Sequence, residues 1–298
     1  MLRNFEDVLR RARALQGVTV SVAAAQDRDV LMAVKEARDA GIASAMLVGD
    51  ADAIRPLMQE VGLDPDTKVV HEPDPKKAAL TAVSLVKKGE AKVVMKGLVN
   101  STDFLKAVLD REEGLRSGRL LCHLAAFEIP GLEKLAFFSD GGMNIAPSLE
   151  EKIDILLNSL AALKSLGIAA PNVAVLTANE MVNPKMPATV DAKALAERNA
   201  NQELTQGIVE GPIAFDVAIS PEAAKHKGLP SEISGQVDLF LLPNIEAGNI
   251  LGKSLVYCAK AKMAGIVVGA AKPVVMTSRS DTPEGKLYSI ALACLATR

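Results

Sequence analysis

Tryptophan is absent from the 298 residues, tyrosine occurs twice and phenylalanine seven times. A core so poor in rings has to be filled by Ala, Val, Leu and Ile, which suits helices laid on a parallel sheet better than an all-β fold. The three cysteines, Cys122, Cys258 and Cys294, are odd in number, widely spaced and free of any CxxC pattern. They read as small core residues in a reducing compartment, with no disulfide framework expected. His71, His123 and His226 are equally scattered, so no metal-ligating set is expected. An excess of charge is missing too: 34 basic against 36 acidic residues give a formal net charge of -2. Without an extended basic run a nucleic-acid partner is not expected, although local basic patches can still hold a phosphate-bearing ligand. No apolar run reaches membrane-spanning length free of charge or Gly, and the amphipathic MLRNFEDVLRRARAL lacks the apolar centre of a signal peptide. A cytoplasmic protein with no membrane partner is the expectation.

What is present is an alternation of short apolar runs and amphipathic stretches. Phe5, Val8, Leu9, Ala12 and Leu15 recur on one face of a helix over residues 3–16. The runs VTVSVAAAQ, SAMLVGD, KVVHEP and KVVMKG follow as strands separated by helical segments, a spacing that predicts βαβ crossovers and a parallel sheet. Near Lys134 the rhythm changes. Leu135–Ser139 reads as a strand, SDGGMNIAPSLEEK leads into a long helix through Leu166, and VAVLTANE restarts the unit before the helix VDAKALAERNANQ. GIVEGPIAFDVAIS carries Gly-Pro punctuation that predicts loop and edge structure. VDLFLLP, a helix from Ala247 to Ala264, IVVGA and VVMTS then lead to the closing helix. The chain thus reads as α/β, with one domain of residues 1–139 plus 279–298 and a second of residues 140–278.

Polar groups gather at the ends of these strands. In VVMTSRSDTPEGKLYSIA, Thr277, Ser278, Arg279, Ser280 and Asp281 stand between a buried strand and a helix opened by Pro283 and Glu284, an arrangement suited to an anion. The same residues also make a capped helix start, with Asp281 or Thr282 as N-cap; that accounts for the capping residues but not for Arg279. Lys96, Gly97, Asn100, Ser101 and Thr102 sit where KVVMKG turns into TDFLKAVL, and can hold phosphate by charge and backbone donors or form a turn capped by Ser101 or Thr102. Asp140, Gly141, Gly142, Asn144 and Pro147 follow LAFFS; the glycines predict close backbone approach or a hinge, and Asp140 can orient a ligand or an arginine. Asn179, Glu180, Asn183 and Lys185 occupy another strand-end loop, and Asp216, inside an apolar run, is expected to pair with a base. AGNILGKS, which includes Asn249 and Lys253, nearly matches the phosphate loop of a nucleotide triphosphatase. Its first glycine is Ala247, however, and no strand ends in an Asp placed for magnesium. A helix beginning at Gly248 and Asn249 would still aim free N–H groups at an anion.

Five collinear segments resemble the phosphate acyltransferases, the phosphate acetyl- and butyryltransferase family: MKGLVNSTDFLKAVL, FFSDGGMNIAPSLEEK, VAVLTANEMVNPKMPAT, EGPIAFDVAIS, and DLFLLPNIEAGNILGKSL running on to TSRSD. They span residues from about 95 to 281, far more specific than any single motif. Lys96-Gly97, the Pro184-Lys185 loop and SRSD followed by Lys286 resemble the butyryl branch more than the acetyl branch.

The resemblance implies two three-layer αβα domains facing a cleft, of the isocitrate/isopropylmalate dehydrogenase-like type. It implies reversible transfer of a short-chain acyl group between coenzyme A and inorganic phosphate, butyryl in preference to acetyl, with no metal and no permanently bound cofactor. Acyl-CoA and phosphate are the implied partners, and a homodimer or higher homo-oligomer the implied assembly. It further implies Ser278, Arg279 and Asp281 as catalytic residues, and Lys96, Gly97, Asn100, Ser101, Thr102, Lys106, Asp140, Asn144, Lys185, Asn249 and Lys253 as substrate-binding ones. Arg279 can clamp phosphate with two parallel N–H groups. Ser278 matches the family serine that hydrogen-bonds the transition state or the sulfur. Two positions depart from the acetyl-branch pattern. The Asp expected beyond the Ser-Arg pair falls near Glu284 and Gly285, leaving Asp281 as the nearer base, and an arginine for coenzyme A is replaced by Lys106. The alternatives are a phosphate acetyltransferase, a non-catalytic acyl-CoA or phosphate-ester binding protein, and a metal- and nicotinamide-dependent dehydrogenase, for which neither the carboxylate set nor the dinucleotide site is found.

Overall fold

The computed structural model of the chain describes residues 2–205, 207–278 and 281–297. They form a mixed α/β protein of two compact units, one of residues 2–119 with 264–297 and one of residues 120–263.

The first, discontinuous unit opens with α1 (Phe5–Arg13), β1 (Thr19–Ala23), α2 (Arg28–Asp39), β2 (Ser44–Gly49), α3 (Ala51–Val61), β3 (Lys68–His71), α4 (Pro75–Lys87), β4 (Val93–Lys96) and α5 (Ser101–Val108). The second runs β5 (Cys122–Glu128), β6 (Ala136–Ser139), α6 (Leu149–Ser165), β7 (Val173–Leu176), α7 (Pro187–Ala200), β8 (Val209–Ile213), α8 (Phe215–Ile219), α9 (Pro221–His226), β9 (Leu239–Leu241) and α10 (Ile245–Tyr257). The chain then enters β10 (Lys262–Val268), β11 (Val274–Val275) and α11 (Pro283–Leu295), which complete the first unit.

In the discontinuous unit the strands lie in the order β3-β2-β1-β4-β11-β10. All neighbours are parallel except β10 against β11. Every residue of β4 is buried, as a strand covered on both faces requires. Helix α11 packs on α1 and α2, where Phe5 stacks on Tyr288 with ring centroids 4.3 Å apart. Asn4 caps α1 by accepting from the Asp7 N–H at 3.0 Å, and the buried Asp7 carboxylate accepts in turn from Arg3 and Arg10.

In the other unit β6, β9, β7 and β8 are parallel neighbours in that order, and β5 pairs antiparallel with β6. Four of the seven phenylalanines converge in its core: Phe138 stacks on Phe240 at 4.6 Å and meets the edge of Phe127 at 5.2 Å, with Phe215 tilted against both Phe138 and Phe240.

The units divide at 119/120 and 263/264, earlier than the expected 139/140 and 278/279. Strand pairing is the reason. β5 hydrogen-bonds to β6 and so belongs with it, whereas β11 is built onto β4. The run containing β5, LLCHLAAFE, was not singled out as a strand from the sequence. The helix expected over Ala247–Ala264 is displaced: Asn244 starts it by accepting from the Ala247 N–H at 2.9 Å, and it stops at Tyr257 because the β-branched run that follows is drawn into β10. β8 lies at the end of its sheet order, where Pro212 with its missing N–H is tolerated. No described helix is long and apolar enough to cross a membrane.

Candidate active site

Parallel strands deliver their following loops to one edge of a sheet, where ligands of α/β proteins bind. In the discontinuous unit β4 lies between β1 and β11, with Ala23 opposite Lys96 and Val275 opposite Met95. The segments led by Lys96 and by Thr277–Ser278 therefore leave the sheet side by side. The turn after β4 is pulled onto the end of β1: Gly97 N–H donates to Ala23 O at 2.8 Å and Leu98 N–H to Ala24 O at 2.7 Å. A Cβ at Gly97 would stand 2.4 Å from Ala24 O, so a side chain there would break this approach. Lys96 is buried, and its Nζ donates to Gly97 O and Val99 O at 3.3 Å each, which holds a cation directly beneath the turn.

Asn100, rather than Ser101 or Thr102, caps α5. Its Oδ1 accepts from Asp103 N–H at 2.8 Å and its Nδ2 donates to Asp103 Oδ2 at 2.6 Å. That side-chain bond, with Lys76 nearby, holds the Asp103 carboxyl below the usual range. Ser101 and Thr102 are exposed in the first turn, and exposed Lys106 stands one turn beyond Thr102.

After β11, exposed Ser278 and half-buried Asp281 close a turn on each other. Ser278 N–H donates to Asp281 Oδ2 at 2.7 Å, and Asp281 N–H donates to Ser278 O at 3.2 Å. Arg279 and Ser280, between them, lie outside the described residues. Thr282 caps α11, accepting from Gly285 N–H at 3.1 Å, and the buried Lys286 donates its ammonium to Asp281 O. Of the two residues expected to cap this helix, Thr282 does so and Asp281 turns back to Ser278.

In the other unit three of the anticipated residues meet. Asp140, buried after β6, accepts from Gly142 N–H at 2.7 Å and Met143 N–H at 3.0 Å through one oxygen. Its other oxygen accepts from Asn144 N–H at 3.2 Å and Asn144 Nδ2 at 2.6 Å. Asp140 thus shapes its own loop, and Asn144 ties that loop to Leu121 O at 3.0 Å. The peptide bond from Ser139 to Asp140 is cis. Asn249 Nδ2 reaches Gly141 O at 3.4 Å from α10.

The string AGNILGKS is helix from end to end. Gly248 N–H is already bound to Asn244 O at 3.2 Å, so a helix N-terminus with free donors at Gly248 and Asn249 does not exist. The glycine serves packing instead: a Cβ at Gly248 would lie 2.6 Å from Gly141 Cα and 2.7 Å from Leu242 Cδ1. Lys253 is exposed one turn after Asn249. Lys185 is exposed in the separate loop between β7 and α7, its N–H donating to Asn183 Oδ1 at 2.9 Å. Asp216 is paired by Lys227, 2.9 Å away, although it is exposed rather than buried. His123, carried by β5 and read from the sequence only as one of three scattered histidines, has its ring so close to the glycine loop that a Cβ at Gly142 would be 3.2 Å from His123 Cγ.

Residues 70–294 match the phosphate acetyl/butaryl transferase family. The chain belongs to that family. Phosphate butyryltransferase of Clostridium acetobutylicum is 46% identical to this family member over 296 residues, 99% of this chain and 98% of the relative. Phosphate acetyltransferase of Thermotoga maritima is 39% identical over 290 residues, 97% of this chain and 98% of the relative. The crystal structure of a branched-chain phosphotransacylase from Enterococcus faecalis V583 superposes with a TM-score of 0.84 at 34% identity, covering 94% of this chain and 99% of that one. This member of the acyltransferase family shows, among the described residues, no cluster of His, Cys, Asp and Glu suited to a metal ion.

Proposed function

We propose that the protein transfers a short-chain acyl group reversibly between coenzyme A and inorganic phosphate, acyl-CoA plus phosphate giving acyl phosphate plus CoA, with butyryl preferred to acetyl. The observation that carries this reading is the parallel pairing of β4 with β11 in a member of this family, which sets the buried Lys96 ammonium and the exposed Ser278 at neighbouring strand ends.

The chemistry asks for what these residues offer. A phosphate oxygen attacks the thioester carbonyl, a tetrahedral oxyanion forms, and collapse expels the thiolate. In our reading Arg279 clamps phosphate bidentately while the positive charge of Lys96 and the backbone about Gly97 favour its approach. Ser278 donates its hydroxyl to the developing charge on oxygen or sulfur. Asp281 accepts the coenzyme A thiol proton in the reverse direction, its carboxylate aimed by the Ser278 N–H. Asn100, Ser101, Thr102, Lys106, Asp140, Asn144, Lys185, Asn249 and Lys253 are the further residues this reading assigns to substrate binding. Asp140 contributes by fixing its loop. The reading includes two αβα domains of the isocitrate/isopropylmalate dehydrogenase-like type, a homodimer or higher homo-oligomer, a cytoplasmic location and no permanently bound cofactor, coenzyme A being substrate and product.

The test is phosphate-dependent release of free thiol from acetyl-, butyryl- and isobutyryl-CoA by the purified protein. Absence of release from all three refutes the reading. Arg279→Ala is expected to raise the KM for phosphate by about tenfold or more, the scale of a lost charge-assisted pair, and an unchanged KM removes Arg279 from the site.

A further inference from the structure

The strands of the discontinuous unit are laid outward from β1 in two directions, β2 and β3 on one side, β4 and then β11 on the other. The winding therefore reverses between β1 and β4, and ligands of open α/β sheets bind outside the carboxyl ends of the strands at such a reversal. One wall of this crevice is the Lys96 turn. The other is the loop that leaves β1, residues 24–27.

That loop is drawn tight. Ala24 holds a left-handed backbone at φ 50, uncommon in a residue with a Cβ. Its carbonyl accepts from Leu98 N–H, and Ala25 N–H donates to Val48 O at 3.0 Å, so the backbone is tied both to β2 and to the turn after β4. Asp27 N–H donates to Ala25 O at 2.8 Å, and the Asp27 carboxylate caps α2 by accepting from Val30 N–H at 3.0 Å. The side chain of Gln26 is different. It is half-buried, and its Oε1 is shut off from solvent without a hydrogen-bond partner, where a Cβ on Gly49 would stand 2.3 Å from it. Among the described residues one other side-chain polar atom is in that condition, Ser21 Oγ, and it lies within β1 rather than beyond its end. A buried acceptor without a donor costs stability, so an amide kept in this state at the switch point calls for a partner that arrives from outside.

The chemistry of that partner is narrow, because it has to bring an N–H or an O–H. Phosphate comes to the site chiefly as an acceptor and a thioester carbonyl only as one. The pantetheine arm of coenzyme A brings two secondary amides, each with an N–H to give and a carbonyl to receive, and a carboxamide can match both. Reach agrees with this. Neighbouring strands are about 4.8 Å apart, so the ends of β1 and β11, with β4 between them, are separated by roughly 10 Å. An arm whose sulfur is at Ser278 passes the Lys96 turn before its farther amide comes to Gln26.

We propose that Gln26 is a coenzyme A-binding residue whose carboxamide turns away from Gly49 to pair with an amide of the pantetheine arm, its Oε1 accepting the N–H and its Nε2 donating to the carbonyl. This assignment rests on the acyl-CoA reading above and involves one unit alone.

Calorimetric titration of the full-length protein with coenzyme A, and with its phosphorylated ADP half, which lacks the arm, tests it. Gln26→Met, which keeps the length of the side chain and removes the amide, is expected to weaken coenzyme A binding by about tenfold, the scale of an arm amide left unpaired. Binding of the ADP half should stay within about twofold. The urea midpoint should not fall, since an acceptor without a partner is removed. Unchanged affinity for coenzyme A overturns the proposal, and so does equal loss for both ligands. Weaker binding together with a lower urea midpoint overturns it as well, because Gln26 would then hold the loop rather than the ligand. Should Gln26→Met not fold, Gln26→Ala carries the same expectation for the two affinities. A wild-type protein that binds coenzyme A yet releases no thiol from its esters contradicts the catalytic reading alone, and the two affinities still decide the role of Gln26. Failure to bind coenzyme A overturns both.

Discussion

The backbone N–H of Ser278 and the carboxylate of Asp281 lie 2.7 Å apart, in the turn that carries the chain from β11 into α11. One oxygen of that carboxylate is engaged by the backbone, and in the proposed reaction the carboxylate takes up the thiol proton. An amide at 281 can accept the same N–H but cannot take a proton. Asp281→Asn is therefore expected to keep the turn and to lower kcat/KM for acyl phosphate plus CoA by about 10²-fold or more at neutral pH. The lost rate should return as pH rises toward about 8.5, where the thiol ionises without help. A pH profile parallel to that of the wild type removes Asp281 as the base.

Gly248 and Gly141 touch backbone to backbone, and a methyl group at Gly248 would meet both Gly141 Cα and Leu242 Cδ1 inside normal contact distance. Gly248→Ala is expected to destabilise the protein by about 1–3 kcal/mol, as overpacking does, despite the better helix propensity of Ala. Urea denaturation measures this directly, and a variant as stable as the wild type would show that the contact is not tight.

The thiols separate by burial. Cys122 and Cys294 are each pushed up to about 12 by desolvation, whereas Cys258 is exposed at the end of α10. A thiol-reactive chromogen at pH 8 should modify one cysteine of the native protein rapidly and the other two only after unfolding. Rapid reaction of two or three would contradict the packing around β5 and α11.

Acid should act on Asp7. The side-chain and backbone donors of Arg3, joined by Arg10, hold its carboxyl far below the usual range. A depressed native pKa stabilises the fold above the unfolded value, near 3.9, and that contribution is lost as pH falls through the native value. Asp7→Asn should thus be less stable than the wild type at pH 7, with the difference shrinking progressively below about pH 4. Thermal midpoints of the two proteins across that range would show it; a gap that widens in acid has the wrong sign.

Much of the layout was legible because parallel strands are apolar runs with polar ends, and β1 to β4, β6, β7 and β11 all carry that signature. β5 was not, since an apolar run leading out of a loop reads equally well as buried helix. The limits of α10 were misplaced for a related reason: Gly248 resembled a phosphate-loop glycine, and only the position of Asn244 shows it to be helical packing against Gly141. At the candidate site, the strand-end location of Lys96 and Ser278 was readable. The burial of Lys96 and the ion pair of Lys227 with Glu180 were not, because each depends on contacts between segments far apart in the chain, and the donors that surround Asp140, which come from the next four residues, depend on a loop conformation that no hydrophobic period encodes.

The discontinuity of the first unit bears on the order in which the protein is made. Until residue 274 leaves the ribosome, β4 lacks its neighbour β11, and the place of α11 against α1 and α2 stands empty. Residues 120–263 can close while the earlier segment is still waiting. Ser278 and Asp281 arrive with the last strand and helix, so a nascent chain gains its proposed chemistry only at the moment its sheet is completed.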